Sequence, residues 1–468
     1  MPTQTPKATV NAFDQLYEFA RNYLPGGVCA SARANEAIGH PFYVHSGDGS
    51  RIRGIDGREY IDMCMSHGAS LLGHNHRGIK AAVEKALELG VICAYETEHH
   101  SALAKKITEL VPCAEMVRFC GSGTETIMHA LRLARTATRR DKIIKFEGHF
   151  HGYSDYVYYS SAPPLDKAGP AAAPVPYPES AGMPASLEDL VIVLPFNDPE
   201  ALKRAFARHG HETAALILEP INYDAGCIVP EPGFAQLCRD LCDQYEVLLF
   251  FDEVLTAFRM APGGGQQYLG VIPDLCVLGK ALGGGTPISA VAGKREVMMH
   301  LRPEGQCEHS GTYLAHLTTV LAALTALGEY GRPRFYEQLE NIADRFYGGF
   351  QEIVDRSGVP MRLQHVGPRF GMYFGIEEKV TNYRQAARQS REMLLTFISS
   401  CLERGVYFHV SPHHGFSAAH TEADIDRVLE AIEGAMPDVQ RTFLLVKQSS
   451  EGESHLAYRS QVIPDDRP

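Results

Sequence analysis

The chain alternates between two hydrophobic patterns, and their positions predict where strands and helices lie. Short apolar runs predict buried strands at 117–120, 143–146, 191–194, 216–218, 247–251, 275–278 and 289–292. Segments with apolar residues at helical spacing separate several of these runs, among them 124–140, 199–209 and 234–244. Strands buried on both faces read as continuous apolar runs, so the alternation predicts an α/β fold with a mostly parallel sheet covered on both faces.

The pattern changes toward both ends of the chain, which predicts a division into domains. A helix is expected over 13–20, strands over 42–62, and helices over 78–90 and 101–110. After a helix at 317–330, helical segments near 336–356, 383–404 and 422–435 indicate a separate α+β unit. We therefore predict an N-terminal segment (1–65) that packs with a small C-terminal α+β domain (331–445), a large domain (66–330) and a polar tail (446–468).

Residues 160–186 interrupt the alternation of strand and helix. They contain seven prolines and seven alanines with little periodicity. A stretch of this length without regular structure inside a compact domain is a functional lid or a disordered insert. Both interpretations stay open, and the division above counts the segment as a lid loop of the large domain.

Composition and charge argue against several classes of function. A net charge of -12 leaves no general basic field, so no nucleic-acid partner is expected. No window approaches ~18 apolar residues, so no membrane span is expected, and the first ten residues lack the apolar core of a signal peptide. The eleven cysteines are odd in number and include no Cys-x-x-Cys, which favours reduced thiols in a cytoplasmic protein.

Three short stretches at predicted strand ends carry candidate chemistry. Lys280 follows the apolar run 275–278 and precedes three glycines, so a poorly hydrated amine of lowered pKa is expected there. Ser122-Gly123-Thr124 lies between a strand and a helix, where backbone N–H groups and hydroxyls bind anions. Asp252 ends the run 247–251 and, when buried, needs a cationic or N–H partner.

Each of these stretches alone also fits an ordinary role, as a surface lysine, a helix cap or a capping aspartate. Their order in the chain is more informative than any one of them. The interval between Asp252 and Lys280 allows one crossover, so both can lie at the same edge of the sheet and face the Ser122 stretch. A phosphate site, a buried acid and a lysine amine together suit pyridoxal phosphate, with the lysine forming the Schiff base and the aspartate holding the pyridinium.

A series of motifs strengthens this interpretation. They are Leu24-Pro25-Gly26-Gly27, Leu72-Gly73-His74, Ser122-Gly123-Thr124-Glu125, Phe146-Glu147-Gly148-His149-Phe150-His151-Gly152, Glu219-Pro220, Asp252-Glu253-Val254, Pro273-Asp274, Gly279-Lys280, Gly311-Thr312 and Ala419-His420-Thr421. With them the chain resembles the class III (subgroup II) aminotransferases of fold type I, most closely their glutamate-1-semialdehyde aminomutase-like branch. The resemblance implies a large domain with a seven-stranded, mostly parallel sheet that binds pyridoxal phosphate.

The resemblance also implies roles for the residues around the cofactor. Lys280 is the Schiff-base lysine, Asp252 pairs with the pyridine nitrogen, and Val254 packs behind the ring. Phe150 occupies the position where the family usually stacks a tyrosine on the ring. The cofactor phosphate is implied to contact the anion-binding stretch described above, namely Ser122, Gly123 and Thr124.

Two further residues are implied to lie at the edges of the site. Thr312 is expected to reach the phosphate in the partner subunit, which implies a homodimer with shared active sites. Arg33 matches an arginine that binds the substrate carboxylate in the aminomutase branch, a task that suits a bidentate guanidinium. An ordinary loop arginine paired with an acid is the alternative for Arg33.

Departures from the family pattern surround the expected substrate. Asp224 replaces an asparagine, His67 a tryptophan and Ala30 a serine, while 314–317 and 410–416 differ from the usual sequences and the latter lacks the family's glutamate. The stretch His309-Ser310-Gly311-Thr312 resembles β-amino-acid transaminases. Cofactor chemistry is therefore expected to be kept, and the choice of substrate stays open.

Three functions follow for comparison. The first is an aminotransferase that moves an amino group from a carboxylate-bearing amino acid, β- or ω-amino included, to an oxo acid or ketone. The second is an aminomutase of the glutamate-1-semialdehyde type, and the third is a non-catalytic homologue that binds pyridoxal phosphate. No metal is expected, because the 21 histidines include no His-Glu-x-x-His spacing, and His413 and His414 are expected in a loop near the substrate mouth.

Overall fold

Strands and helices alternate through most of the computed structural model, which describes residues 12–452. The strands are β1 Val44–Asp48, β2 Arg51–Gly54, β3 Glu59–Asp62, β4 Met116–Cys120, β5 Lys142–Phe146, β6 Val191–Leu194, β7 Thr213–Leu218, β8 Leu248–Glu253, β9 Leu275–Leu278, β10 Ser289–Gly293, β11 Met361–Val366, β12 Arg369–Phe374, β13 Val406–Tyr407 and β14 His413–Gly415. The α-helices are α1 Ala12–Arg21, α2 Arg77–Leu89, α3 Glu98–Leu110, α4 Gly123–Thr138, α5 Pro199–His209, α6 Phe234–Tyr245, α7 Gly264–Leu269, α8 Arg295–Met298, α9 Leu317–Tyr330, α10 Phe335–Ser357, α11 Tyr383–Ala386, α12 Arg391–Glu403 and α13 Glu422–Gly452. Over residues 12–452, no helix combines the length and the apolar character needed to cross a membrane.

The apolar runs of the sequence correspond to β4 through β10, which form a seven-stranded sheet in the order β4-β10-β9-β8-β7-β5-β6. All neighbours pair in parallel except β10, which is antiparallel to both β4 and β9. Successive residues face opposite sides, so Phe250 lies in one buried cluster with Ile127 of α4, and Phe251 lies in another with Cys238 of α6. Helices therefore cover both faces, which confirms the predicted α/β fold.

The strands other than β10 run in one direction, so their carboxyl ends lie at the same edge of the sheet. Polar residues stand at or just after these ends: Ser122 after β4, Glu147 after β5, Glu219 after β7, Asp252 within the end of β8, and Lys280 after β9. Ligands of open α/β sheets bind outside this edge. The topology thus brings together residues that are far apart in sequence.

There are two smaller sheets, and one of them combines N-terminal and C-terminal strands. The N-terminal strands form a sheet in the order β1-β2-β3-β13, in which Ile61 pairs in parallel with Val406. The other sheet has the order β11-β12-β14. Ile61 also belongs to a buried cluster with Phe346 of α10, Phe397 of α12 and Ile432 of α13. The domain limits at 65 and 330 stay a prediction.

Two predicted segments differ from the structure in extent. The helix expected over 383–404 is divided into α11 and α12, and the side chain of Ser390 caps α12 by accepting a hydrogen bond from the backbone N–H of Met393. Helix α13 continues past 446, where the sequence predicted the start of a polar tail. The remainder of that tail, 453–468, lies outside the described residues.

Hydrogen bonds give the 160–186 segment a defined course. Arg384 donates to the carbonyls of Ala168 (3.0 Å) and Gly169 (2.8 Å), and the hydroxyl of Tyr383 donates to the carbonyl of Pro163 (2.9 Å). Both donors belong to α11, so the C-terminal part of the chain holds this segment beside the sheet. Its role as a lid stays a prediction.

A close backbone contact between β12 and the loop after β7 gives the first testable prediction. A Cβ on Gly371 of β12 would lie 1.4 Å from the carbonyl oxygen of Gly226, and backbone on both sides prevents relief. We expect Gly371→Ala to lower the free energy of unfolding by more than about 3 kcal/mol. Gly348, exposed in α10 with nothing within 4 Å of its would-be Cβ, is the matched control, and Gly348→Ala should stabilise by about 0.5–1 kcal/mol. Urea unfolding measures the free energy of unfolding of both variants. Equal changes in the two would contradict the close contact at Gly371.

Candidate active site

A cavity of about 620 Å³ opens at the carboxyl edge of the large sheet. Most of the residues named from the sequence line it together: Ser122, Gly123, Thr124, Phe150, Asp252, Val254 and Lys280. These residues come from four separate parts of the chain. The structure therefore brings the three candidate stretches of the sequence into one site, as their order predicted.

The first turn of α4 forms the anion-binding end of the cavity. Ser122 is the N-cap, and its hydroxyl accepts a hydrogen bond from the N–H of Glu125 (3.3 Å). The preceding N–H groups, of Gly123 and Thr124, have no partner inside the helix because they belong to its first turn. A Cβ on Gly152 would lie 2.6 Å from Oγ1 of Thr124, so glycine is needed where the next loop passes. These donors and the helix dipole favour a phosphate.

Asp252 is buried and held by two hydrogen bonds. Its Oδ2 accepts from Nδ1–H of His151 at 2.8 Å, and its Oδ1 accepts from the N–H of Val254 at 3.1 Å. Burial lowers the pKa of His151, which the Asp252 carboxylate opposes. His151 is thus the positioning group for Asp252. Sequence reasoning missed this role, although His151 lies in the quoted motif 146–152.

Val254 lies between the anion-binding end and the lysine. A Cβ on Gly123 would contact the side chain of Val254 at 3.4 Å, and a Cβ on Gly279 would contact it at 3.3 Å. The next residue, Lys280, has a φ of 43°, in the left-handed region that non-glycine residues rarely adopt. Backbone strain of this kind concentrates at functional sites. Two closely approaching loops and a strained turn therefore present the lysine to the cavity.

The amine of Lys280 is placed where its charge is poorly hydrated. Desolvation lowers its pKa to about 8, and the carboxylates of Asp252 and Asp224 act in the opposite direction. Asp224 and Glu219 line the same cavity. Burial raises the pKa of Asp224 to about 6 and that of Glu219 well above its ordinary value, with the neighbouring carboxylates adding to the effect on Glu219. The amine therefore lies near three carboxyl groups, and burial disfavours the charged form of Glu219 and Asp224 among them.

Phe150 contributes an aromatic side to the cavity. Its ring lies against Tyr153 (centroids 5.2 Å apart) and Tyr158 (6.1 Å), both in edge-to-face contact. Its backbone N–H donates to Oε1 of Glu219 at 3.1 Å, which ties the loop after β5 to the end of β7. An aromatic face at this position suits a flat heterocyclic ring.

Two residues named from the sequence do not line the cavity. Arg33 is exposed, although its neighbour Ala32 does line the cavity, so Arg33 stands at the mouth. Thr312 is exposed in the loop before α9. Their roles toward substrate and toward a partner subunit stay predictions.

The expectation for His413 and His414 was wrong in part. They form the strand β14 and are buried, because Phe370 and Gly371 of β12 pair with them. Alternation along the strand points them to different sides, so His413 lines the cavity and His414 packs against Phe370. His409, which the sequence did not single out, also lines the cavity.

The groups present fit pyridoxal phosphate. The start of α4 can hold the phosphate, Asp252 the ring nitrogen, Phe150 and Val254 the ring faces, and Lys280 the aldehyde carbon. Between residues 12 and 452, no group of three or more His, Cys, Asp or Glu side chains is arranged to hold a metal ion. Fold and cavity together define the fold type I class of pyridoxal-phosphate-dependent transferases.

Comparisons with known proteins assign the family within this class. A sequence profile described as aminotransferase class-III matches residues 32–435, and the chain belongs to that family. It is 40% identical over 425 residues to glutamate-1-semialdehyde 2,1-aminomutase 2 of Brevibacillus brevis, covering 90% of this chain and 97% of that protein.

Solved structures agree with the family assignment. An omega-transaminase from Sphaerobacter thermophilus has a TM-score of 0.88 and 33% identity, with 92% of this chain and 99% of that chain covered. A transaminase with PLP bound has a TM-score of 0.83 and 26% identity, with coverage of 91% and 97%.

The lowered pKa of Lys280 gives a pH prediction. The neutral amine predominates above pH about 8 instead of above the ordinary lysine value of 10.5. In cofactor-free protein, ethyl acetimidate should modify Lys280 with a rate midpoint near pH 8, as followed by peptide mass spectrometry. Asp252→Asn should move this midpoint lower, because the lost carboxylate favoured the ammonium form. A midpoint near 10.5 in the unaltered protein would refute the buried environment.

Proposed function

We propose that the protein is a pyridoxal-phosphate-dependent aminotransferase. It moves an amino group from a carboxylate-bearing amino acid to an oxo acid or ketone. The observation that carries the proposal is the meeting of Lys280, Asp252 and the start of α4 in one cavity. These three groups supply an amine nucleophile, an anionic partner for a ring nitrogen and a phosphate site.

The cofactor, when bound, supplies an electrophilic carbonyl and a ring that accepts the electron pair left when the C–H bond of the amine-bearing substrate carbon breaks. Asp252 would hold the ring nitrogen protonated, because a nearby carboxylate favours the cationic form of a base. His151 and the N–H of Val254 hold that carboxylate in place. The start of α4 anchors the phosphate.

Lys280 moves the proton. An amine with a pKa of about 8 accepts a proton from the amine-bearing carbon of the substrate readily and returns it readily near neutral pH. Asp224 and Asp252 stabilise the ammonium form that exists between the two transfers.

The substrate is proposed to carry a carboxylate, with a β- or ω-amino group. Arg33 at the mouth, beside the lining residue Ala32, is the proposed cationic contact. The resemblance of His309-Ser310-Gly311-Thr312 to β-amino-acid transaminases supports the β-amino class.

An aminomutase is the second candidate, because relatives such as the Brevibacillus protein carry that name. The loss of the family's glutamate near 410–416 and the change at Ala30 count against the usual semialdehyde substrate. A non-catalytic homologue is the third, and the intact Lys280 and Asp252 count against it.

The working form is proposed to be a homodimer with shared active sites. Thr312 lies outside the cavity of its own chain and is exposed, as a residue that serves a partner's phosphate must be. Large apolar side chains at Val91, Tyr95 and Tyr313 are also exposed, which suits a contact surface.

A donor panel with and without an oxo acceptor separates these functions. We expect a β- or ω-amino acid alone to change the absorption of the bound cofactor once per site and then stop. Added pyruvate or 2-oxoglutarate should allow continuous turnover. An aminomutase instead turns over glutamate-1-semialdehyde with no acceptor. Lys280→Ala should slow turnover at least about a hundredfold, because the proton-transfer group is lost. If no donor changed the absorption, the non-catalytic alternative would be correct.

A further inference from the structure

Three histidines form one wall of the cavity, and none of them has a part in the chemistry above. His67, His409 and His413 all line the cavity, and we call them the imidazole wall. The ring centroids of His67 and His409 are 4.5 Å apart, and those of His67 and His413 are 6.2 Å apart. The charge of Lys280 is close enough to lower the pKa of both His67 and His413, so the wall faces the amine.

His67 is presented by a strained turn. Met65, Ser66, His67 and Gly68 have φ values of 50°, 54°, 51° and 85°, four consecutive residues in the left-handed region. Each non-glycine residue there costs about 1–2 kcal/mol. The turn is held by Asp62, whose Oδ1 accepts from the N–H groups of Cys64 (2.8 Å) and Met65 (3.1 Å). A strained turn kept in this way points to a function for the side chain at its centre.

His413 is oriented by a fully buried arginine. Nη2 of Arg369 donates to Nδ1 of His413, and Arg369 is 0% exposed. A guanidinium only donates, so Nδ1 is the acceptor and the proton of a neutral imidazole is on Nε2. Nε2–H is thus the group that His413 offers to the cavity it lines.

His409 packs against His67 and has no N–H group free for a ligand. Its Nδ1 accepts from the N–H of Ser411 at 3.0 Å, and its Nε2 donates to the carbonyl of Ala32 at 3.0 Å. Both nitrogens are therefore used within the protein. His409 packs edge-on against His67 and connects the wall to the loop before the exposed Arg33.

We propose that the imidazole wall binds the carboxylate of the amino substrate, with His413 and His67 donating N–H hydrogen bonds and Arg369 acting as a positioning residue behind His413. This inference rests on the proposed function and names the inner contact for the substrate anion. Arg33 at the mouth is then an outer contact.

The charges in the cavity support an anion at this wall. Asp224 and Asp252 line the cofactor side of the cavity and repel a carboxylate from it. On the opposite side, Arg369 lies behind His413 and acts on the anion through the hydrogen bond that fixes the His413 ring. Desolvation holds the pKa of His67 to about 3 and that of His413 well below its ordinary value, so both donate as neutral rings. Because the rings of His67 and His413 are neutral, they place no additional positive charge beside the amine of Lys280.

The test is calorimetric binding of butanoate and of its neutral analogue butanamide to the holoenzyme. His413→Phe keeps a ring and removes the donor, so butanoate affinity should fall about tenfold to a hundredfold. Butanamide affinity should fall clearly less, because a hydrogen bond to a neutral amide oxygen contributes less than one to a carboxylate. His413→Gln restores a side-chain N–H and should recover most of the affinity. His67→Asn, which tolerates left-handed backbone but is too short to reach, should also weaken butanoate more than butanamide. His414→Phe is the matched control, because His414 does not line the cavity.

A double-mutant cycle tests the positioning role of Arg369. If Arg369 acts through His413, Arg369→Met combined with His413→Phe should weaken butanoate no more than His413→Phe alone. Additive losses would assign Arg369 a merely structural role.

Three results would overturn the proposal. They are unchanged butanoate affinity in His413→Phe, equal losses for butanoate and butanamide, and absence of butanoate binding to the unaltered holoenzyme. Loss of affinity in Arg33→Met but not in His413→Phe would place the carboxylate at the mouth instead. Butanoate has no amino group, so this outcome is independent of whether amino transfer occurs.

Discussion

One amine is held among three carboxyl groups at the edge of a sheet, and the rest of the site depends on this balance. Lys280 would be a strongly hydrated cation at the surface, but burial lowers its pKa to about 8. Asp252 and Asp224 counter that effect, so the amine stays near the point where it gains or loses a proton easily. The parallel sheet makes the arrangement possible, because β7, β8 and β9 end side by side.

The surroundings keep these charges in place by contacts between distant parts of the chain. His151 holds Asp252, and the loop that carries Asp224 packs against β12 where Gly371 approaches Gly226. Arg384 forms a bidentate ion pair with Glu147 at 2.8 and 2.9 Å, just before the loop that carries Phe150. The C-terminal part of the chain thus supports the cofactor side and also supplies part of the imidazole wall.

Much of the fold could be predicted from the sequence, and so could the meeting of Lys280, Asp252 and Ser122 in one cavity. Apolar runs correspond to β4 through β10 because strands buried on both faces have few polar positions. Lys280, Asp252 and the Ser122 stretch were recognisable because each directly follows or ends such a run. Contacts between remote residues were not recognisable, since no local pattern connects His151 to Asp252 or Arg369 to His413. The left-handed turn at 65–68 was also missed, because three of its residues have side chains that disfavour it.

The central claim is that Lys280 carries the cofactor, and covalent trapping tests it most directly. Lys145 is the other buried lysine that could be modified, because burial also lowers its pKa to about 8. Its ammonium, however, donates to the carbonyls of His149 and Val157, and Lys145 does not line the cavity. Borohydride reduction of the holoenzyme followed by peptide mass mapping should locate one pyridoxyl group per chain, on Lys280. A pyridoxyl group on Lys145 or on a surface lysine, or none at all, would contradict the account.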